Sequence, residues 1–485
     1  MLNYKLIFKV IGSLLSMETV MMLLCVAVAL YYQENDIMPF VWSALITLGS
    51  SAFFLWLGHK AENQMSRRDA YLVVTLSWVV FSVFGSLPFY IGQYFDTYTN
   101  SFFETMSGFT TTGATVFDDV EHLPHGILFW RSLTQWIGGL GIVFFTIAVL
   151  PSLVGGSMKV FSAEATGPVK SKLHPRIGTT AKWIWSIYLF LTIACCVCFL
   201  FLDMGVFDAV NHAMTITATG GFGTHNDSIA FFNDVRIEAV SIFFQFIAGI
   251  NFMMFYLAVF KQDFKNFFRN SELRFYCMLV ISASAFIAYM LMKYNHYDLE
   301  HALRSSVFQV ISFITTTGLF NDDAGQWPHV TWVVLGILMF TGACAGSTSG
   351  GFKSIRMLMI IKVTRNEFKH ILHPKAVLPV KINGQNYTPT YQSTLLAFLS
   401  LYLLVCLFAD MVMIFVGVDH VNAITISLSC VSNVGPTLGT QIGPEMSWNS
   451  LPDMAKWICT LLMLIGRLEI FSVLILFTRE FWKDK

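Results

Sequence analysis

The sequence predicts an all-α polytopic membrane protein, and three observations carry this prediction. First, 55% of the 485 residues are hydrophobic and 12% are charged, roughly half the charged share of a soluble domain. Second, apolar runs of about 20 residues, long enough to cross a bilayer, recur along the chain. Third, a short loop rich in threonine and glycine recurs between these runs. We therefore expect membrane helices bundled around repeated loops.

The chain begins with two apolar spans, at residues 11–31 and 38–57, joined by the acidic linker Glu34–Asp36. Because the linker is short, the two spans are predicted to form a helical hairpin. No threonine-rich loop lies between them, so this hairpin, residues 1–65, is assigned outside the repeat. We interpret the first span as a retained helix rather than a signal peptide, because many further spans follow it.

The repeated loop is Thr110–Gly113, and residues 315–318 have the same four-residue sequence. Thr217–Gly220 differs from it at one position, and Ser432–Gly435 is a looser copy. We name these segments loops 1 to 4 in the order of the chain. Their glycines, at positions 113, 220, 318 and 435, are spaced by 107, 98 and 117 residues. Four similar loops at near-regular spacing predict four units around one axis.

Each unit is predicted to contain an apolar span, a short apolar helix, the loop and a second span. The paired spans are 72–94 and 126–150, 180–202 and 236–260, 275–293 and 330–361, and 392–417 and 455–478. The short helices are 100–109, 207–216, 299–314 and 420–431, and the units are 66–165, 166–270, 271–385 and 386–485. With the hairpin, this gives ten membrane segments. The short helices cannot cross the bilayer, so we interpret them as re-entrant pore helices.

The loops are predicted to line a central pore. Irregular backbone at membrane depth is tolerated only where it lines protein or water. Glycine permits backbone conformations that crowd other residues, and rings of carbonyl oxygens replace the hydration shell of a monovalent cation. The carbonyl ends of the pore helices carry partial negative charge, which also favours a cation. The sequence therefore indicates a selective cation path.

The distribution of charge predicts the orientation. Of 30 Lys and Arg residues, 24 lie on one side of the predicted spans, the largest group being Lys353–Lys381. By the positive-inside rule this side and both termini are cytoplasmic. Acidic residues follow the loops on the other side, where they would attract cations or simply form a solvated rim. They are Asp118, Asp119, Glu121, Asp227, Asp234, Glu238, Asp322, Asp323, Glu445 and Asp453.

The second span of the third unit is interrupted by the small residues of Thr341–Gly351. Glycine costs about 1 kcal/mol relative to alanine inside a helix, and Gly342, Gly346 and Gly350 all fall here. We interpret the stretch as a flexible intramembrane loop below the four loops, placed to block or open the path. The alternative is a small-residue packing face between helices.

Arg467 is the second exception, because it lies in the otherwise apolar run Cys459–Phe477. A central arginine costs about 2.5–3.5 kcal/mol on insertion scales, so it is expected to face the bundle interior or a water-filled path. Its expected partners are Glu469 or carbonyl groups near Gly346. The alternative is an internal ion pair that only holds helices together.

Other functions were weighed against a channel. A symporter coupling K⁺ to H⁺ or Na⁺ is the main alternative, although Glu18 and Glu469 stand almost alone as intramembrane acids. An intramembrane hydrolase needs a nucleophile and a base on facing positions, and no such pair is identified. A scaffold that binds an acidic partner through its basic face is compatible with a channel. The nine cysteines lack metal-ligand spacing, and no phosphate-binding loop is present.

Taken together, the four loops, the interruption at Gly342–Gly351 and Arg467 within Ile465–Glu469 resemble the TrkH family of bacterial potassium-uptake membrane subunits. This family belongs to the superfamily that also holds KtrB and the plant HKT transporters. The resemblance covers essentially the whole chain, including the N-terminal hairpin. It implies a potassium channel-like fold repeated four times in one polypeptide and a homodimer in the inner membrane. It also implies a cytosolic partner, the TrkA ring, which binds ATP, ADP and NAD(H), while no organic cofactor or nucleic acid is expected on this chain.

The resemblance also implies roles for individual residues. It assigns the potassium filter to Thr111, Thr112, Gly113, Ala218, Thr219, Gly220, Thr316, Thr317, Gly318, Asn433, Val434 and Gly435. It assigns the gate to Gly346, Ser347, Thr348, Ser349, Gly350, Gly351 and Arg467. A serine at the first filter position accompanies sodium transport among relatives, so Gly113 favours potassium. Loop 4 departs most from the pattern, because Asn433 and Val434 replace threonines and Pro436 follows.

Overall fold

The computed structural model of the chain describes residues 2–62, 65–141, 177–260, 262–376, 378–439 and 442–483. Within these ranges, six helices are long and apolar enough to cross a membrane: Tyr4–Tyr32, Ile37–Gly58, Arg67–Ile91, Ala181–Leu200, Ser271–Asn295 and Pro389–Phe415. Two bent helix pairs raise the number to eight if each pair counts as one span. Residues 142–150 of the predicted span 126–150, the unit boundary at 165 and the basic residues from Lys159 to Arg176 lie outside the described ranges. The chain is therefore a multi-pass membrane protein.

The first helices are α1 (Tyr4–Tyr32), α2 (Ile37–Gly58), α3 (Arg67–Gly85), α4 (Leu87–Ile91), α5 (Tyr98–Phe109), α6 (His125–Leu140), α7 (Ile177–Leu200), α8 (Val206–Ala218), α9 (Val235–Ala248), α10 (Phe252–Phe260) and α11 (Phe264–Arg269). They are followed by α12 (Ser271–Met290), α13 (Leu299–Ile314), α14 (His329–Thr341), α15 (Ser354–Leu372), α16 (Pro389–Phe415), α17 (His420–Ser432), α18 (Asp453–Arg467), α19 (Phe471–Leu474) and α20 (Arg479–Trp482). The strands β1 (Val380–Ile382) and β2 (Gln385–Tyr387) form an antiparallel hairpin.

The predicted N-terminal hairpin is present as α1 and α2, which pack closely. Gly12 on α1 allows this approach, because a Cβ atom at this position would collide with Leu55 on α2. The carbonyl of Gly12 also accepts a hydrogen bond from the hydroxyl of Ser51 at 2.7 Å. The linker between the helices also fastens the hairpin to the first unit. The carboxylate of Glu34 accepts hydrogen bonds from the backbone N–H and from Nδ1 of His125, at 2.6 and 2.7 Å, where α6 begins. An acid at a helix N-terminus is favoured by the helix dipole.

The four short helices predicted before the loops are α5, α8, α13 and α17, and their bounds agree with the prediction within about two residues. The hydroxyl of Thr97 caps α5, and the carboxylate of Asp419 caps α17. All four helices end in buried residues at the loops. They therefore bring their carbonyl ends into the interior of the bundle.

Within the described ranges, the second helix is interrupted in units 2, 3 and 4, whereas the sequence predicts an interruption only in the third. There, residues 342–353, which we call the interrupting segment, separate α14 from α15. The continuous helices predicted over 236–260 and 455–478 are wrong, because α9 and α10 meet at 91° and α18 and the helical residues after it at 109°.

The two unexpected bends have different causes. At the first, the carbonyl of Gly249 accepts from the N–H of Cys344, and the N–H of Phe252 donates to the carbonyl of Gly346, both at 3.0 Å. The interrupting segment thus satisfies backbone groups that the bend removes from the helix. At the second, Glu469 and Ile470 have φ values of 55° and 45°, a left-handed conformation that a helix cannot continue through.

The β hairpin was not predicted. Its turn residues Asn383 and Gly384 have φ values of 50° and 77°. A two-residue turn with positive φ at both positions matches the twist of the strands, and Asn-Gly is the preferred pair because both residues tolerate positive φ. The hairpin lies in the basic stretch that the sequence analysis placed on the cytoplasmic side.

Candidate functional site

The four loops leave their helices with the same backbone conformation. The N–H groups of Thr112, Gly220, Thr317 and Val434 each donate to the carbonyl five residues earlier, at 2.9 to 3.0 Å. The residue before each of them has a φ between 53° and 57°, and the residue after each is a glycine with a φ between 79° and 97°. These glycines are Gly113, Gly221, Gly318 and Gly435. The shared pattern fixes which residues are equivalent.

According to this pattern, the residues of loop 2 that correspond to those of the other loops lie one position later than the sequence predicts. The counterpart of Gly113 is Gly221, not Gly220, so the predicted set Ala218, Thr219 and Gly220 becomes Thr219, Gly220 and Gly221. Ala218 ends α8 and corresponds to Thr110, at the start of loop 1. Gly220 and Gly221 are adjacent, and the sequence pattern Thr-x-Thr-Gly ends at Gly220. The backbone pattern shared by the four loops ends at Gly221 instead. Only the backbone conformation separates them.

The loops pack against one another in a closed ring. A Cβ atom added to Gly113 would collide with the carbonyl oxygen of Gly220 in loop 2, and one added to Gly221 would collide with that of Thr317 in loop 3. The glycines of loops 3 and 4 complete the ring in the same way, Gly318 against the carbonyl of Val434 and Gly435 against that of Thr112. Four equivalent carbonyls therefore each lie against the glycine of a neighbouring loop.

Side chains tie neighbouring loops together. The Nδ2 of Asn433 donates to the hydroxyl of Thr112 at 3.1 Å, which joins loop 4 to loop 1. Gln135 on α6 uses both ends of its amide on loop 2. Its Nε2 donates to the carbonyl of Gly220 at 2.7 Å, and its Oε1 accepts from the N–H of Phe222 at 3.1 Å. Gln135 was missed from the sequence, although a fully buried glutamine in an apolar helix needs such partners.

A buried ion pair also braces the exits of loops 1 and 2. The Nε of Arg131 donates to Glu104 at 2.9 Å, and both side chains are almost fully buried. The guanidinium also donates to the carbonyl of Gly223 at 3.1 Å, and the Glu104 carboxylate accepts from the N–H of Val116 at 2.9 Å. The sequence offered a signal for this pair, because each charge stands in an otherwise apolar stretch.

A cavity of about 120 Å³ opens beyond the ring, and the glycines Gly113, Gly221, Gly318 and Gly435 all line it. Its wall includes Asp118 and Glu445. Asp118 accepts a hydrogen bond from the Nδ2 of Asn449 at 2.7 Å, which connects the segments after loops 1 and 4. Burial, and then the nearby carboxylates of Asp323, Asp322 and Asp227, raise the pKa of Glu445 to about 7. Two of the ten acidic residues that follow the loops, Asp118 and Glu445, therefore line this cavity.

The interrupting segment lies against the loops near the helix ends from which they start. The N–H of Gly350 donates to the hydroxyl of Thr316 in loop 3 at 2.7 Å, and the α-carbon of Gly350 lies against the carbonyl of Ser432 in loop 4. The hydroxyl of Thr348 donates to the carbonyl of Thr217, at the end of α8, at 3.1 Å. The segment therefore contacts the region where three of the loops begin.

Arg467 binds this segment and the first unit together. Its guanidinium donates to the carbonyls of Thr348 at 2.9 Å, Gly138 at 2.5 Å and Gly139 at 2.7 Å. The expectation that a carbonyl of the segment binds Arg467 is thus met by Thr348. Glu469, the other expected partner, accepts from the Nη2 of Arg356 on α15 at 2.6 Å. The arginine therefore links α18, the interrupting segment and the end of α6.

Lys353 is an exception to the assignment of the basic residues to the cytoplasmic surface. It was counted among the basic residues that mark the cytoplasmic surface, but its side chain is buried, with 2% exposed. Its Nζ donates to the carbonyl of Ser349 in the interrupting segment. The sequence missed it because it opens a long basic run, so its charge was taken as a topology signal.

Known proteins share this architecture. The chain matches the TrkH family, described as cation transport protein, over residues 36–485. It is 35% identical to the Trk system potassium uptake protein TrkH of Salmonella typhimurium over 100% of both chains. It is 34% identical to the Trk system potassium uptake protein TrkG of Escherichia coli over 98% of this chain and 97% of that protein. The crystal structure of the potassium transporter TrkH from Vibrio parahaemolyticus is similar with a TM-score of 0.90 at 34% identity, covering 99% of this chain and 100% of the other. The chain belongs to the TrkH family of cation transport proteins.

Proposed function

We propose that this protein takes up K⁺ across the inner membrane through a gated, channel-like pore. The observation that carries the proposal is the closed ring, in which four equivalent backbone carbonyls each lie against the glycine of a neighbouring loop. Carbonyl oxygens arranged around an axis replace the water around a monovalent cation. The relatives named as potassium uptake proteins identify the ion as K⁺.

In this proposal the filter consists of Thr111 to Gly113, Thr219 to Gly221, Thr316 to Gly318 and Asn433 to Gly435. The four units, residues 66–165, 166–270, 271–385 and 386–485, contribute one loop each, and the hairpin 1–65 supports the first unit. Glycine at the end of each loop keeps the ring tight, because no side chain separates its α-carbon from the neighbouring carbonyl. The acidic outer cavity raises the local concentration of cations before they enter.

The gate consists of Gly346 to Gly351 and Arg467. Arg467 holds the interrupting segment through the carbonyl of Thr348 and ties it to the end of α6 through the carbonyls of Gly138 and Gly139. A fixed positive charge at this point opposes the passage of a cation, and the segment itself stands in the path. Opening requires the segment to move away from Thr316 and Thr217, which breaks a small number of hydrogen bonds.

The proposal is tested by replacing Gly113 with serine. Serine at positive φ strains the loop, and its Cβ pushes against the carbonyl of Gly220. We expect the K⁺/Na⁺ flux ratio of purified protein in liposomes to fall about tenfold, corresponding to about 1.4 kcal/mol. The flux of K⁺, Rb⁺, Na⁺ and Li⁺ is compared with that of the unchanged protein. An unaltered ratio would remove loop 1 from the filter.

Coupled symport with H⁺ is the second candidate, and Glu18 on α1 is the observation that favours it. This side chain is fully buried, and within the described ranges neither of its carboxylate oxygens has a hydrogen-bond partner. It lies against Gly85 on α3, on the side where Phe109 and Thr105 of α5 also approach this glycine. A buried carboxylate without partners favours the protonated form. A reversal potential that follows the K⁺ gradient alone would exclude symport, and dependence on the proton gradient would exclude a simple channel.

The wider setting is also proposed. Both termini face the cytoplasm, the protein is a homodimer, and a cytosolic ring of nucleotide-binding domains resembling TrkA controls the gate. The chain itself is expected to be a transporter without enzymatic activity and without an organic cofactor. The homodimer is tested by measuring the mass of the purified protein in lipid. The complex with the cytosolic ring is tested by co-purification.

A further inference from the structure

A buried carboxylate lies beside the interrupting segment and has no part in the function proposed above. Glu272 stands in the first turn of α12, and 3% of it is exposed. One of its carboxylate oxygens accepts a hydrogen bond from the N–H of Ala345, at 2.6 Å. The N–H of Ile355, in the first turn of α15, also faces this carboxylate. Glu272 therefore contacts both the interrupting segment and the helix that follows it.

Glu272 belongs to a buried cluster of titratable side chains. The ammonium of Lys353 is attracted by Glu469 and Glu272 and donates to the carbonyl of Ser349. Buried charges are tolerated where they are paired and hydrogen-bonded. Removing the Glu272 carboxylate therefore leaves the Ala345 N–H without its acceptor and the Lys353 ammonium with less compensation. Both changes weaken the hold on the interrupting segment.

The residue before Glu272 connects this cluster to the β hairpin. The N–H of Ser271 donates to the Oδ1 of Asn383, in the hairpin turn, at 2.7 Å. The hairpin is also fastened to α15, because the Nζ of Lys362 donates to the carbonyl of Lys381 at 2.7 Å. A cavity of about 720 Å³ beside the turn leaves space for it to shift. Consecutive contacts therefore run from the hairpin turn through the start of α12 to Ala345.

We propose that Glu272 is a positioning residue for the gate, and that the Ser271–Asn383 hydrogen bond transmits movement of the β hairpin to it. With the hairpin in its present place, Glu272 holds Ala345 and the interrupting segment stays beneath the ring. Displacement of the hairpin by a cytosolic partner draws the first turn of α12 away and releases Ala345. This inference rests on the proposed gate.

The first test replaces Glu272 with alanine and with glutamine in the full chain in liposomes. Leaving a buried donor without its acceptor shifts an equilibrium by about ten- to a hundredfold, so we expect Rb⁺ flux through Glu272→Ala to rise by that order. Glu272→Gln keeps one acceptor oxygen and is expected to rise less. The K⁺/Na⁺ ratio should stay unchanged in both, whereas a purely structural defect would lower flux and yield.

The second test uses Asn383→Gly, which keeps a turn with positive φ but removes the acceptor for Ser271. Amide hydrogen exchange is measured in lipid nanodiscs over the hairpin and over residues 342–353. We expect faster exchange in both segments, because the connection between them is cut at one bond. Faster exchange in the hairpin alone, or in neither segment, would overturn the transmission route.

Arg467→Ala, measured in parallel, separates failure of the inference from failure of the gate. If Arg467→Ala raises flux and both Glu272 variants leave flux and exchange unchanged, the role of Glu272 is refuted and the gate stands. If exchange over residues 342–353 rises in Arg467→Ala and Glu272→Ala without any change in flux, the segment is not the gate. That outcome would overturn the proposed gate and this inference together.

Discussion

The outer and inner parts of the candidate pathway are built in opposite ways. On the outer side, four loops with one backbone conformation contribute equivalent glycines and carbonyls to a ring. On the inner side, a single segment from the third unit reaches the starts of three loops, and Arg467 from the fourth unit binds it. Coordination of an ion needs several equal ligands, whereas a gate needs one movable part. Under the proposed function, repetition and interruption therefore serve different tasks in the same chain.

Within the ring, the four loops can also be compared with one another. Loop 4 differs most in sequence, yet Asn433 and Gly435 have φ values of 55° and 97°, like their counterparts. Asparagine tolerates the left-handed conformation better than most residues, which explains why it can stand where threonine stands elsewhere. Conformation is thus repeated more faithfully than residue type.

The largest expected effect comes from breaking the ring at Gly221. Replacing it with alanine places a side chain at a φ of +82° and against the carbonyl of Thr317. The left-handed conformation costs about 1–2 kcal/mol and overpacking about 1–3 kcal/mol. We expect K⁺ uptake to be lost and the melting temperature to fall, measured by liposome flux and by thermal unfolding in detergent.

The matched control for Gly221→Ala is Ala218→Ser, because the first prediction from the sequence placed Ala218 in the filter. The counterparts of Ala218 at the other helix ends are Thr110, Thr315 and Ser432, all with hydroxyls. Uptake and selectivity should therefore be retained in Ala218→Ser. A tolerated Gly221→Ala, or a loss of selectivity in Ala218→Ser, would contradict the register derived from the backbone.

A smaller effect is expected from breaking the gate at Arg467. Replacing it with alanine removes hydrogen bonds to the three carbonyls that it joins, and a bond from a charged donor contributes about 1.5–3 kcal/mol. We expect K⁺ flux in liposomes to rise about tenfold at an unchanged K⁺/Na⁺ ratio, a lower bound from one such bond.

Arg467→Lys sharpens the same comparison. Lysine keeps the charge but lacks the planar fork that reaches several carbonyls, so flux should rise less than with alanine. If either variant altered the K⁺/Na⁺ ratio as strongly as the flux, the division of labour between ring and gate would be wrong.

The smallest effect concerns the outer cavity. Burial and the neighbouring carboxylates hold the pKa of Glu445 at about 7, so the group is neutral below this pH and negative above it. One added charge about 10 Å from an ion in water is worth about 0.4 kcal/mol, or about twofold in occupancy. We expect the KM for K⁺ to fall about twofold as the outer pH rises through the pKa. Glu445→Gln should abolish this dependence, and a dependence of the opposite sign would exclude an attractive role.

Much of the architecture was predictable because it follows from composition and local rules. The pore helices were placed closely, since each is an apolar stretch too short to cross the membrane and is followed by a loop. The shift in loop 2 was not predictable, because Gly220 and Gly221 are identical as letters and differ only in φ. Loop 4 was recognised because its glycine sits at the expected spacing.

The bends and the buried charges were missed for a different reason. The turn at Gly249 is stabilised by hydrogen bonds from a segment almost a hundred residues away in sequence, which no local pattern reveals. Lys353 and Glu272 stand at the edges of apolar runs, where charge normally marks the membrane boundary. Tertiary contacts decided that they are buried.

The ring is made from one polypeptide, and this affects how it can change over generations. In an assembly of identical subunits, one codon change appears at every position around the axis at once. Here a substitution in Val434 or Thr112 alters a quarter of the circle and leaves the rest intact. If the ring is the filter proposed above, discrimination between ions is open to adjustment in small asymmetric steps, each exposed to selection by itself.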